Sequence, residues 1–175
     1  LAAVGIGIGG IYVTNLAVSI LYSLIDFIFE LGITTGESGN QEGIIDMFNN
    51  CNNLELSLYC IILVIVAPLI EELIFRTSMF KCLKKLSKPG KVIISALLFG
   101  GLHIVTSILN ILVSGGIVSE MLTNVVIELL FGIQYFAMGA VLAIVYQISG
   151  ENVYSSYIVH LGNNLLSVIS LFMLK

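Results

Sequence analysis

Uninterrupted apolar runs long enough to cross a bilayer restrict this chain more than any other feature. They extend over Ala3 to Leu31, Leu54 to Phe80, Lys91 to Val113, Ser119 to Ile148 and Tyr154 to Leu174, and a helix needs about 20 such residues to traverse the hydrocarbon core. The runs lack the alternation of lipid-facing and lumen-facing residues that barrel strands require. Composition agrees: 58% of the 175 residues are hydrophobic, 10% are charged, and the mean hydropathy is +1.06, outside the usual range of a water-soluble domain. The expected fold is therefore all-α, a polytopic transmembrane helical bundle of about five spans, read as a single transmembrane domain over residues 1–175.

The chain opens at Leu1, directly in apolar sequence, which reads as a fragment that has lost at least its start. No basic start or small-residue cleavage site marks a signal peptide. Cys51, Cys60 and Cys82 lie in different environments without CxxC spacing, so neither a disulfide framework nor a zinc knuckle is indicated.

Charge sets the orientation. Six of the seven basic residues, Arg76, Lys81, Lys84, Lys85, Lys88 and Lys91, fall in one short region, which the positive-inside rule makes cytoplasmic. The polar stretch at 32–53, acidic and rich in Gly and Asn, reads as an extracytoplasmic loop with at most one short helix. At about 1.5 Å of rise per residue, Glu71 lies about 15 Å from the basic loop along its helix and His103 about 18 Å along the next. If 119–148 is one tilted helix, His160 sits about 15 Å up the last span. Three helices then bring polar residues to one level, around a cavity expected toward the cytoplasmic side.

Those residues carry the chemistry. In "PLIEELIFRTSMF" two carboxylates, Glu71 and Glu72, and Arg76 interrupt an apolar span, where an ionisable group is costly and by default paired and functional. Glu72 and Arg76 are four apart with the acid first, the favourable order for a pair on one helix face. Glu71 points about 100° away and has no such partner, which in an apolar pocket suits a base working near neutral pH. His103 closes "FGGLH", where Gly100 and Gly101 permit close approach of a neighbouring helix. His160 and Asn164 in "HLGNN" are again four apart, so both can contact one oxygen.

This constellation suggests amide hydrolysis. Glu71 would take a proton from water that His103 helps hold, while His160 and the Asn164 amide would stabilise the oxyanion. The same residues offer a metal alternative, with Glu71, His103 and His160 around Zn2+ and water in the open position. The absence of HExxH and the Asn beside the second histidine favour a site without metal or other cofactor.

With those residues in view, the sequence resembles a known family. "EELIFR" is similar to the EExxxR motif, "FGGLH" to FxxxH and "HLGNN" to HxxxN of the CPBP family, the CAAX proteases and bacteriocin-processing enzymes, also called the Abi family. The resemblance covers roughly Leu54 to Leu174, taken as a protease core. It implies a multi-spanning helical protein that cleaves peptide bonds within the membrane, including those releasing the C-terminal tripeptide of prenylated CAAX proteins. By the same resemblance Glu71 is the water-activating base, Glu72 and Arg76 support it, His103 assists, and His160 and Asn164 form the oxyanion site. Whether such enzymes are glutamate-dependent or metalloproteases stays open at this point.

The expected partners are the lipid bilayer and a peptide or lipidated protein substrate, in the cell membrane of what Ile, Asn and Lys usage suggests is a bacterium. "GIGIGG" formally satisfies GxGxxG but lies in a span and reads as a helix-packing surface. Asp26, Glu120 and Glu128 belong to none of the motifs, and Glu128 reads as an interhelical hydrogen-bonding group. Nothing suggests nucleic-acid binding. Two rival readings remain: a non-enzymatic bacteriocin-immunity or scaffold protein, and a proton-coupled transporter. The second would be expected to show internally repeated broken helices.

Overall fold

A chain crossing hydrocarbon must satisfy every backbone N–H and C=O internally, and an α-helix does so within one segment. The computed structural model describes residues 1–173, and those residues form helices and connecting turns with no strand. Helices α1 (Ala2–Phe29), α3 (Asn53–Cys82), α4 (Lys88–Ser114), α5 (Val118–Ile148) and α6 (Val153–Met173) are each long and apolar enough to span a membrane. A shorter helix, α2 (Gly39–Asn50), lies in the polar connection. Residues 119–148 form one helix rather than two short passes. Leu174, the expected end of the last span, lies outside the described residues.

Side chains mark the helix starts. Ser38 Oγ accepts from the Gln41 amide at 3.2 Å to begin α2. At α3 the Asn52 side chain accepts from the Leu54 and Glu55 amides, while Glu55 accepts from the Asn52 amide at 2.9 Å, a reciprocal cap. Asp26, outside all three motifs, closes the turn after α1 by accepting from the amides of Ile33 at 2.8 Å and Thr34 at 2.6 Å.

Helix α3 is not uniform. Two π-helical turns, Ile62–Val66 and Leu73–Ser78, flank the short α-helical piece Ala67–Glu72. Pro68 supplies a reason for the first: it has no N–H, and its ring would clash with the carbonyl four residues back in an unbroken α-helix. Widening the preceding turn relieves that conflict. π-turns inside α-helices are frequent at functional sites, and here they bracket Glu71 and Glu72.

Packing positions the site. The closest helix pair is α4 with α5, where a Cβ on Gly100 would overlap the Phe136 ring and one on Gly139 would press on Phe99 and Ala96. Gly101 has no neighbouring atom within 4 Å of such a Cβ, so the expectation that both glycines serve helix contact holds for Gly100 alone. In the "GIGIGG" run, Gly7 faces Val145 and Val159 and Gly10 faces Val141, which seats α1 on α5 and α6. Buried Ile11, Phe75, Phe99, Leu142, Val145 and Val159 form the main core. Apolar residues such as Leu16, Ile93, Leu97, Leu129 and Leu166 remain exposed on the long helices, the outward face a hydrocarbon solvent requires.

The chain order fixes two ends. The basic turn after α3 lies beside the end of α5, because Gln147 Nε2 donates to the Lys88 carbonyl at 2.8 Å. The opposite end carries residues 30–52, and α2 is pinned there by Phe48 packing against Val64 and Val168.

Candidate active site

The deepest layer is a buried ion pair. Glu72 and Arg76 have side chains at 0% exposure, with Glu72 Oε2 3.2 Å from Arg76 Nε. Two buried charges persist in such surroundings only when paired and further hydrogen-bonded. Arg76 Nη1 donates to Ser95 Oγ at 3.0 Å, Ser95 Oγ donates to the Phe75 carbonyl at 2.9 Å, and the guanidinium lies 5.1 Å from the Phe99 ring centre. The other Glu72 oxygen, Oε1, accepts from His160 Nδ1 at 3.1 Å. A carboxylate only accepts, so this bond assigns the proton to Nδ1 and turns Nε2 the other way.

Above that layer lies Glu71. Its Oε2 is 3.7 Å from His160 Nε2 and 3.9 Å from His103 Nε2, and the oxygen is buried without a hydrogen-bond partner. His103 Nδ1 donates to the Phe99 carbonyl at 2.8 Å, one helical turn back. Its Nε2 is thereby left as an acceptor facing Glu71. Phe99, fully buried, touches both imidazoles, with ring centres 4.6 Å from His103 and 5.6 Å from His160. The phenylalanine of the "FGGLH" stretch thus fixes one histidine by its carbonyl and packs both by its ring.

Asn164 stands apart from this cluster. Its Nδ2 donates to the Leu63 carbonyl at 3.0 Å. In the π-turn the Ala67 amide bonds the Ile62 carbonyl, and Pro68, the next residue, has no N–H to offer Leu63. The Asn164 carboxamide replaces the missing helical donor. One of its two N–H groups is used this way, and the side chain lines the cavity.

Of the six residues singled out from the sequence, Glu71, His103, His160 and Asn164 line one cavity between α3, α4 and α6, while Glu72 and Arg76 lie fully buried behind it. Three of its determinants were not legible beforehand: the Glu72 to His160 bond, Ser95 beneath Arg76, and Tyr135 of α5 stacked on His103. No spacing pattern flags the last two, because each acts across helices.

The cavity, about 650 Å³, extends from Glu71, His103 and His160 past Leu63, Gln134 and Asn163 to Ile33, Ser38 and Asn40 of the polar connection. On the other side of the site, toward the basic turn, the space is filled by Phe75, Phe80, Leu142, Val145 and Tyr146. The sequence reading expects the cavity toward the cytoplasmic side that carries the basic turn; the residues that line it run from the site toward the polar connection. Depth along a helix fixes how far a residue lies from an end, not which half of the bundle packs solid.

Comparison with known proteins completes the picture. A family model described as Rce1-like, type II CAAX prenyl endopeptidase, matches residues 53–166, from the start of α3 into α6. An uncharacterized protein of Mycoplasma capricolum subsp. capricolum is 40% identical over 87 residues, covering 48% of this chain and 25% of that protein. The chain thus matches about a quarter of the length of that curated relative. No solved structure matches it.

Proposed function

Because the chain belongs to the Rce1-like family of type II CAAX prenyl endopeptidases, we propose that it hydrolyses peptide bonds of membrane-associated or lipidated peptides, using a water activated by Glu71. The observation that carries this reading is Glu71 Oε2 lying 3.9 Å from His103 Nε2, whose ring gives its Nδ1–H to the Phe99 carbonyl. One water about 2.8 Å from each would donate a proton to both acceptors and leave a lone pair for the substrate carbonyl. Glu71 takes the proton as the carbon is attacked and returns it to the leaving amine.

The developing oxyanion needs donors. His160 Nε2 donates only as the imidazolium, whose Nδ1–H the Glu72 carboxylate holds. The second Asn164 N–H is the other donor. Arg76 pairs with Glu72 and fixes it, so its contribution reaches substrate only through His160.

Zinc would draw on Glu71, His103 and His160, and it would lower the pKa of a bound water. Among the described residues no three His, Cys, Asp or Glu side chains are grouped as a metal cluster, and the reaction above is derived without one. Under the positive-inside rule the cavity opens extracytoplasmically, away from the basic turn.

The test is cleavage of a membrane-peptide library by purified protein, with and without chelator. Wild type is expected to cut under both conditions and Glu71→Gln under neither. Full biological function in Glu71→Gln would establish the immunity or scaffold alternative instead.

A further inference from the structure

His103 is held on three sides, and the "FGGLH" stretch accounts for two. Its Nδ1–H goes to the Phe99 carbonyl at 2.8 Å, and its ring lies against the Phe99 ring at 4.6 Å. The third side is Tyr135 of α5, a residue in none of the three motifs. The two rings are stacked, centres 4.6 Å apart and planes within 18°.

The hydroxyl of Tyr135 leads away from the site to the polar connection. It is hydrogen-bonded to Ser38 Oγ at 2.8 Å and accepts from Asn40 Nδ2 at 3.1 Å. Two turns earlier on the same face of α5, Glu128 is buried at 5% exposure and accepts from the Gly39 amide at 3.2 Å. Residues 38, 39 and 40 are the start of α2, where Ser38 is also the cap. That helix start is therefore bound to α5 at two points, and one of them is the side chain against His103. Ser38 and Asn40 also wall the cavity.

We propose that Tyr135 is a positioning residue for His103, and that the start of α2, docked on Tyr135 and Glu128, clamps it in place. The inference rests on the hydrolytic reading of the site and adds to it a residue and a segment outside the family motifs. An imidazole turns about a broad two-fold torsion, and a single hydrogen bond to its own helix leaves that torsion soft. The stacked Tyr135 ring, added to the tilted Phe99 ring, restricts the alternatives and keeps Nε2 directed at Glu71. The hydroxyl in turn fixes the tyrosine ring, so docking of residues 38–40 reaches the water site through one aromatic pair.

The chain has two histidines, so histidine-labelled protein gives two imidazole signals, assigned with His160→Gln. In full-length protein in bilayer discs, Tyr135→Leu should shift the His103 ring resonance and lower kcat about tenfold or more, with KM little changed. Tyr135→Phe keeps the stack and should leave that resonance near its place with a smaller loss of kcat, which Ser38→Ala with Asn40→Ala should reproduce. An unmoved His103 resonance in Tyr135→Leu, equal losses in Phe and Leu, or a loss confined to KM would each overturn the proposal. If Tyr135→Leu does not fold, Tyr135→Phe and the Ser38, Asn40 double variant decide by the same two readouts. If even wild type cuts no peptide, the hydrolytic reading fails while the resonance still reports whether Tyr135 positions His103.

Discussion

Glu72 bonds His160 across the bundle, Oε1 to Nδ1 at 3.1 Å, while its other oxygen meets Arg76. The second glutamate of "EELIFR" is thereby the common partner of a guanidinium and an imidazole in a fully buried layer. Glu72→Gln preserves shape but removes the carboxylate that accepts the His160 Nδ1–H and orients the ring. Peptide cleavage is expected to fall about 10²-fold or more, the scale of losing an oxyanion donor. Turnover within threefold of wild type in a progress-curve assay would contradict this assignment.

Arg76 is the structural half of that pair. Removing one member of a buried ion pair leaves the other charge uncompensated, at about 3–5 kcal/mol. Arg76→Met should therefore lower Tm sharply in detergent, and Arg76→Lys should not rescue it. Lysine retains the charge but cannot reach Glu72 and Ser95 Oγ with a planar fork. Thermal unfolding of the two variants, alone and with Glu72→Gln, measures the coupling.

The two central glycines should separate cleanly. Gly100→Ala drives a methyl into the Phe136 ring and is expected to cost about 1–3 kcal/mol by overpacking. Gly101→Ala meets no neighbour and should be neutral or slightly stabilising through helix propensity. Comparable Tm losses for both would refute the packing described for α4 and α5.

Asn164 has one observed task, holding the Leu63 carbonyl, and one proposed, donating to the oxyanion, and one substitution exposes both. Asn164→Ala leaves the Leu63 carbonyl without its donor, a loss of about 1–3 kcal/mol for an unsatisfied buried group. Turnover measured well below Tm should also fall, because the second N–H is lost from the oxyanion site. A variant that is less stable but keeps full kcat when folded would confine Asn164 to the first task.

Orientation is open to labelling. In a background with Cys51, Cys60 and Cys82 replaced by serine, single cysteines at Thr34 and Lys84 mark the two ends of the bundle. An impermeant thiol reagent applied to intact cells should reach position 34 and spare position 84. The reverse pattern would place the cavity mouth in the cytoplasm.

The common level of Glu71, His103 and His160 was legible before any coordinates: helical rise sets the first two from the basic turn, and sets His160 from the turn at 149–152 once 119–148 is one helix. Gly101 shows the limit: sequence marks a small residue but not which way it faces. Tyr135 was not legible at all, since an aromatic in an apolar helix has no pattern that separates a stack on a histidine from a contact with lipid.

Apolar run length and charge placement therefore determined the spans, their order and the level of the polar residues, because hydrophobic thickness and helical rise act along one chain. The run of the cavity from the site toward the polar connection, the Glu72 to His160 bond and the docking of residues 38–40 on Tyr135 and Glu128 were decided by the tertiary structure alone. Each depends on how helices are rotated and packed against one another, and the π-turns around Pro68 alter that rotation within α3 itself.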